Sequence, residues 1–223
     1  MHIGMIGGIG PAATVYYYEQ LVKAFAEQDA PLHLTIVNSS AKNLTANLAA
    51  GRADEQAKEF KRVGDQLVGA GAECLVITSM GGHFCLPEFS VISPLPIIEG
   101  PSAVRDYLVE HNIRRPGILG TRKVMETHLY GVLDELEPVI PEGADLDQAN
   151  QDYVDMAVAG FATDSQRQRL LMAGQKLIDE KQAEIILLGG TDLSIVYDDS
   201  TDIPFLDTAQ IHVEAIVAKA LTL

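Results

Sequence analysis

The stretch AECLVITS at residues 72–79 decides the fold, because it returns as AEIILLGG at residues 183–190. Each copy is a short apolar run that ends in small residues, which is the pattern of a buried strand followed by a tight turn. Ser79 and Gly190 close the two copies and therefore occupy equivalent positions.

Two further pairs of segments extend the repeat. GMIG at residues 4–7 matches GILG at 117–120, and PIIE at 96–99 matches PFLD at 204–207. The three pairs occur in the same order, at offsets of 113, 111 and 108 residues. Matches that keep their order and nearly the same offset predict a duplicated α/β unit.

The hydropathy pattern predicts the elements of this unit. Short apolar runs alternate with longer amphipathic stretches, as in βα units with parallel strands. We therefore expect an α/β fold of two pseudo-symmetric parallel-sheet domains, made of residues 1–98 plus 207–223 and of residues 99–206. The predicted strands are Ile3–Ile6, His33–Asn38, Cys74–Thr78, Pro96–Glu99, Pro116–Leu119, Ile185–Leu188 and Pro204–Asp207. Helices are predicted after Pro11, near Ala53, at Pro101, near Val124, around Asp147, from Thr163 to Lys181 and over Ala209–Leu221.

The duplication also predicts where a ligand binds. Open α/β sheets bind ligands beyond the carboxyl ends of their strands. Ser79 and Gly190 both lie at such ends. We therefore expect a small-molecule site in a cleft between the two domains, with these two positions on opposite sides of it.

The first loop, residues 7–13, follows the first strand and opens a helix. Gly8 and Gly10 allow a close backbone approach, and the free N–H groups of a helix start attract anions. The loop formally fits a dinucleotide fingerprint, but that motif also needs a carboxylate at the end of the second strand. This strand ends in Asn38 and Ser39 instead. The loop is thus predicted to bind a carboxylate or to be a purely structural turn.

The turn after the third strand carries Ser79 and, four residues later, His83. A hydroxyl with a nearby imidazole is the arrangement of an activated nucleophile. The alternatives are a polar turn with a surface histidine, or a site in which Thr78 supplies the hydroxyl.

The equivalent turn of the second half is residues 189–192. Its backbone amides and the Thr191 hydroxyl are suited to hold a carboxylate. Asp192 either orients a neighbouring donor or caps the following segment. Thr121 offers one more hydroxyl after the strand at 116–119, and His212 is either a site residue or a packed residue of the last helix.

Composition restricts the partners and the compartment. With 31 acidic and 16 basic residues the formal net charge is −15, which disfavours nucleic acid and anionic membranes as partners. The two cysteines give no disulfide framework, and the six histidines show no metal-ligand spacing. The opening MHIGMIGGIG lacks the features of a signal peptide. We expect a cytoplasmic protein without a metal.

Five segments resemble the cofactor-independent aspartate/glutamate racemases and together span nearly the whole chain. They are IGMIGGIGPAAT (3–14), GAECLVITSMGGH (71–83), ILGTRKVMETHLY (118–130), AEIILLGGTDLS (183–194) and IPFLDTAQIHVEAIVAKAL (203–221). The resemblance implies two pseudo-symmetric domains that hold a small carboxylate substrate, no cofactor, and a homodimer.

The resemblance also exposes a departure from the family. Typical members carry a cysteine in each turn, and one thiol removes a proton from the substrate's α-carbon while the other returns it on the opposite face. Here Ser79 stands at the first cysteine position and Gly190 at the second, whereas His83 and Thr191 are retained and Asp192 keeps the acid. Because glycine has no group that can transfer a proton, we expect that the two-thiol mechanism does not operate.

A second departure concerns the distal end of the substrate. The resemblance places the basic residues that bind a side-chain carboxylate at Leu44 and Val158. An apolar lining would leave such a charge unpaired. We expect a substrate whose distal end is not a carboxylate, unless Arg52 or Arg122 points inward.

Three functions stay open at this point. The first is a racemase-like isomerase, the second a lyase, decarboxylase or hydrolase that uses Ser79, and the third a binding protein without turnover. A nicotinamide enzyme is disfavoured. The candidate catalytic residues are Ser79, His83 and Asp192. The candidate substrate-binding residues are Gly8, Gly10, Asn38, Ser39, Met80, Gly81, Gly82, Thr121, Gly189, Gly190 and Thr191.

Overall fold

The computed structural model describes residues 1–198 and 200–222 of the chain. These residues form two units, one made of Met1–Gly100 with His212–Leu223 and the other of Pro101–Ile211. Each unit contains its own parallel sheet. Within the described residues no helix combines the length and the apolar character that crossing a membrane requires.

Unit 1 is built on a four-stranded sheet. The strands are β1 (His2–Gly7), β2 (His33–Asn38), β3 (Cys74–Ile77) and β4 (Ile97–Ile98), in the spatial order β2-β1-β3-β4. β1 and β3 are buried at nearly every residue, as expected of inner strands covered by helices on both faces.

Unit 2 is built on a three-stranded sheet. Its strands β5 (Pro116–Leu119), β6 (Ile185–Leu188) and β7 (Phe205–Asp207) lie in the order β5-β6-β7.

The helices of both units are, in chain order, α1 (Pro11–Glu27), α2 (Ala41–Ala49), α3 (Ala53–Gly69), α4 (Leu86–Ile92), α5 (Gly100–Glu110), α6 (Arg122–Glu126), α7 (Gly143–Ala159), α8 (Asp164–Asp179) and α9 (Thr208–Leu221).

The strand registers agree with the duplication. Gly4 pairs with Leu75 in unit 1, and the equivalent Gly117 pairs with Ile186 in unit 2. Both glycines allow a helix to pack closely on the sheet. A Cβ on Gly4 would lie 3.2 Å from Cβ of Leu67 in α3, and one on Gly117 would lie 3.1 Å from Cδ1 of Leu177 in α8. The two halves therefore share pairing and packing, not only a sequence pattern.

The structure confirms the predicted α/β class and differs from the sequence-based elements in a few places. The strand after Cys74 ends at Ile77, one residue earlier than expected. Helices α2 and α4 were not predicted, because both are short and lack a long amphipathic pattern: Leu44 is the buried residue of α2, and Phe89 is that of α4.

Candidate active site

The loop after β1 is held by one threonine. Gly8 N–H donates to Thr14 Oγ1 (2.9 Å), and this hydroxyl donates to Gly10 O (3.0 Å). Gly8 has a φ of +74°, and a Cβ at this residue would lie 2.6 Å from Nδ2 of Asn38. Only glycine fits such a position without strain. The loop and the end of β2 are thus brought into direct contact, and the Gly8 amide is used within the protein.

Replacing Thr14 by valine is expected to lower the free energy of unfolding by about 1–2 kcal/mol, because the Gly8 amide loses its acceptor while the side-chain shape is kept. The measurement is chemical denaturation. The control is Thr45→Val, at an exposed position of α2, which should change stability by less than about 0.5 kcal/mol. Equal effects of the two substitutions would contradict the role of Thr14.

Thr78 is also committed to internal bonds. It is fully buried, its hydroxyl donates to Ile6 O (3.1 Å), and the same oxygen lies 3.0 Å from Thr14 Oγ1. Ser79 is partly exposed, and its hydroxyl lies beside the backbone of Gly81, where a Cβ would be 3.5 Å from Oγ. Of the two hydroxyls at the end of β3, the one accessible to a ligand is therefore that of Ser79.

His83 is fully buried, not a surface residue. Its Nδ1 lies 2.8 Å from the carbonyl oxygen of Ser79, and its Nε2 accepts from Gly100 N–H (3.3 Å). Because the amide can only donate, Nε2 is unprotonated and Nδ1 carries the hydrogen. Both ring nitrogens thus bind backbone groups, and the side-chain pair of Ser79 with His83 that the spacing suggested is not formed.

His212 is a second buried histidine, and its ring contacts that of His83. Tyr17 donates its hydroxyl hydrogen to His212 Nδ1 (2.9 Å), and His212 Nε2–H donates to Ile98 O (2.8 Å). The two imidazole rings meet edge to face with centroids 5.8 Å apart. Burial lowers the pKa of His83 to about 4 and that of His212 to about 3, so both are neutral at pH 7. His212 is a packed helix residue.

In unit 2 the ends of β5 and β6 touch through their backbones. Gly189 N–H donates to Leu119 O (2.7 Å), and a Cβ on Gly120 would lie 3.2 Å from the carbonyl oxygen of Gly189. Thr121 caps α6, because its hydroxyl accepts from Val124 N–H (3.3 Å). The Thr121 hydroxyl is therefore used in the helix cap.

The space beside Gly190 is filled by a tyrosine. A Cβ on Gly190 would lie 2.6 Å from Cζ and 2.9 Å from Cε2 of Tyr153, a residue of α7 that is 9% exposed. The Tyr153 hydroxyl donates to Asp192 Oδ2 (3.4 Å). Burial raises the pKa of Asp192, and burial with the nearby Asp192 charge raises the pKa of Tyr153. Tyr153 therefore stays protonated as a donor.

A segment with an unusual backbone conformation follows α6. His128, Leu129 and Tyr130 have φ values of +47°, +58° and +64°, and Gly131 continues the run at +83°. Consecutive left-handed residues other than glycine are costly and are found where the surrounding structure requires them. The charge of Tyr130 is the smallest of the contributions that raise the pKa of Tyr153.

The residues expected near the distal end of a substrate differ in exposure and in their hydrogen-bond partners. Leu44 is 5% exposed in the core of unit 1, whereas Val158 is 84% exposed on α7. Arg52 donates to Asn47 Oδ1 (3.1 Å). Arg122 donates to Glu126 Oε1 (2.9 Å) and to Asp147. Both arginines are thus engaged by groups of their own unit.

The two cysteines are both buried. Cys74 begins β3, at the end of the strand opposite to Ser79. Cys85 is fully buried, and burial raises the pKa of its thiol to about 12. Such a thiol holds its proton near neutral pH and is a poor acid–base group. Among residues 1–198 and 200–222, no group of three or more potential metal ligands is found.

Sequence reasoning did not find Tyr153. This residue follows the pattern of an ordinary core residue on the buried face of α7, alongside Leu146, Ala149 and Met156. The one signal in the sequence was the glycine at 190, at the position equivalent to Ser79.

Comparisons with known proteins agree on one protein family. The sequence model of the Asp/Glu/Hydantoin racemase family matches residues 6–216. A candidate Asp/Glu racemase from Yersinia pestis is 24% identical, with a TM-score of 0.88 over 99% of this chain and 100% of the other.

Two further solved structures resemble the chain. An aspartate racemase homologue from Pyrococcus horikoshii OT3 is 21% identical, with a TM-score of 0.81 over 100% of this chain and 99% of the other. A glutamate racemase from Francisella tularensis, solved in complex with D-glutamate, is 13% identical, with a TM-score of 0.69 over 99% and 81% of the two chains. At these identities the structural likeness shows a shared fold.

Proposed function

Because this chain belongs to the Asp/Glu/hydantoin racemase family, we propose that it is a cofactor-independent isomerase that moves a proton at the α-carbon of a small amino or carboxylic acid. Ser79 and Asp192 are the groups proposed to handle this proton. The thiols of Cys74 and Cys85 take no part.

The observation that carries this proposal is the equivalence of two strand ends. Ser79 lies two residues after the end of β3 and Asp192 lies four residues after the end of β6, and the two strands occupy equivalent places in their sheets. Both side chains are partly exposed, whereas His83 is fully buried. Ser79 therefore offers a ligand a hydroxyl, and Asp192 offers it a carboxylate of raised pKa.

The proposed substrate is a monocarboxylic acid with a neutral distal end. Leu44, at a position where the family resemblance places a basic residue, is apolar and buried. Arg52 and Arg122 already bind partners in their own units. A second carboxylate would therefore be costly to bind at these positions, because its charge would lack a partner.

The proposed state of the protein is a homodimer in the cytoplasm. An apolar stripe on α1 supports the dimer: Val15, Tyr18 and Val22 are 55%, 48% and 42% exposed and lie on one face of the helix. The free thiols of Cys74 and Cys85 support a reducing compartment. Sedimentation equilibrium measures the oligomeric state, and a monomer at all concentrations would contradict the dimer.

The test of the activity is exchange of the α-proton. A panel of amino and hydroxy acids is incubated with the protein in D2O, and deuterium uptake and chirality are followed by NMR and chiral chromatography. Ser79→Ala is expected to lower the exchange rate at least about 100-fold, because a positioned proton-transfer group contributes that much. Ser90→Ala, at an exposed position of α4, is the control and should leave the rate unchanged.

Two outcomes would overturn the proposal. The first is that no acid of a broad panel exchanges its α-proton or racemises. The second is that carbon dioxide or ammonia is released without racemisation, which would identify a lyase-type reaction instead. Unchanged exchange in Ser79→Ala would remove this hydroxyl from the mechanism.

A further inference from the structure

Ser79 and Gly190 have the same backbone conformation. Their φ and ψ angles are −161° and 127° for Ser79 and −172° and 139° for Gly190. Each carbonyl accepts a bond that opens a 3₁₀ turn, from Gly82 N–H (3.0 Å) and from Leu193 N–H (3.1 Å). An extended backbone accepts any L-residue. The glycine at 190 is therefore not required by the main chain.

The phenol of Tyr153 explains the glycine. Its ring occupies the space into which a side chain at 190 would project, with Cζ 2.6 Å from the place of the Cβ. Tyr153 belongs to the core of unit 2, where it packs with Met156 and Leu188 among others. The ring is thus fixed by packing, and its hydroxyl takes the place that a reactive side chain at 190 would have.

The hydroxyl of Tyr153 is directed at Asp192. The donor–acceptor distance is 3.4 Å, and Asp192 is partly exposed whereas Tyr153 is nearly buried. A ligand can thus reach the carboxylate but hardly the phenol. A buried donor that binds one carboxylate oxygen also limits the rotation of that carboxylate.

We propose that Tyr153 is a positioning residue, which replaces the missing side chain at 190 and holds the Asp192 carboxylate as the acid–base group of the second turn. The inference rests on the proposed function. In the proton step the C–H bond of the substrate breaks and an O–H bond to Asp192 forms, while the electron pair moves into the substrate's carboxyl group. The reverse step returns the proton, and Tyr153 keeps its own hydrogen throughout.

The first test is the ionisation of Asp192 and needs no substrate. The chain is labelled with ¹³C at aspartate carboxyl groups, the Asp192 signal is assigned with Asp192→Asn, and its pKa is measured by NMR titration. Tyr153→Phe removes the hydrogen bond that favours the carboxylate, so the pKa of Asp192 is expected to rise above its value in the native chain. The control is Tyr197→Phe, at a buried tyrosine whose hydroxyl donates to Leu170 O.

A reciprocal measurement covers the case that Tyr153→Phe does not fold. In the native chain labelled at tyrosine Cζ, the Tyr153 signal is expected to shift as Asp192 ionises. In Asp192→Asn this shift should vanish. A Tyr153 signal that does not respond to Asp192, or an Asp192 titration that is the same in all variants, would overturn the inference.

Kinetics separate this inference from the proposed function. With a substrate found by α-proton exchange, Tyr153→Phe is expected to move the acidic limb of the kcat profile to higher pH, by the same shift as in the NMR titration and with a smaller change in KM. Tyr197→Phe should move neither. If no acid is ever turned over, the proposed function fails while the NMR titration still decides the role of Tyr153. If a substrate is turned over but Tyr153→Phe leaves the pH profile unchanged, the inference about Tyr153 is wrong while the proposed function stands.

Discussion

Lowering the pH from 7 to 4 is expected to reduce the free energy of unfolding of unit 1 by about 6 kcal/mol, with about half from each of His83 and His212. In the folded chain burial holds the pKa of His83 at about 4 and that of His212 at about 3. This loss is comparable to the total stability of a typical domain. We therefore expect acid unfolding close to pH 4.

The sign follows from proton binding in the two states. An unfolded histidine has a pKa of about 6.5, so the unfolded chain binds more protons than the folded chain below that pH. The stabilising effect of neutral histidines is fully present above pH 6.5 and is lost as the pH falls towards 4. Protonation of His83 would also remove the acceptor that Gly100 N–H binds.

Chemical denaturation at a series of pH values measures this effect. His212→Gln is expected to be less stable at pH 7, but its loss between pH 7 and 4 should shrink to about 3 kcal/mol, because only His83 remains to be protonated. His111→Gln, at an exposed position of α5's C-terminal turn, is the control and should keep the full loss. An equal pH dependence of the native chain and His212→Gln would contradict the prediction.

Gly190→Ala is expected to lower the free energy of unfolding by about 3 kcal/mol, at the upper end of the cost of overpacking a well-packed core. The new methyl group would overlap the ring of Tyr153, which belongs to the hydrophobic core of unit 2. Gly81→Ala is the control in the turn of unit 1. Its methyl group would meet Ser79 Oγ at 3.5 Å, an ordinary contact, so stability should change by less than about 0.5 kcal/mol.

A double-mutant cycle shows whether Tyr153 causes this cost. Tyr153→Ala is itself destabilising because it leaves a cavity. In that background Gly190→Ala should cost almost nothing, which gives a coupling energy of about 3 kcal/mol between the two positions. Additive effects would mean that the glycine is needed for another reason, and the explanation from Tyr153 would then be wrong.

The sequence by itself determined the class of fold and the equivalence of its halves. Hydrophobic runs of strand length with repeated order predicted β2, β5 and β6 with the bounds that the structure has. Such runs are local patterns, so they can be read without tertiary contacts. The repeat also identified Ser79 and Gly190 as equivalent ends, and the family resemblance is confirmed by the match over residues 6–216. That the two turns serve one substrate stays a prediction.

Only the tertiary structure decided what surrounds these ends. The spacing of Ser79 and His83 suggested a pair, but the imidazole binds the carbonyl of Ser79 and the amide of Gly100, the first residue of α5. The sequence showed only that position 190 lacks a side chain, whereas the structure shows that Tyr153 of α7 occupies the space beside it. Hydrogen-bond partners and occupied space depend on which elements pack together, and residues far apart in the chain carry no local signal of that contact.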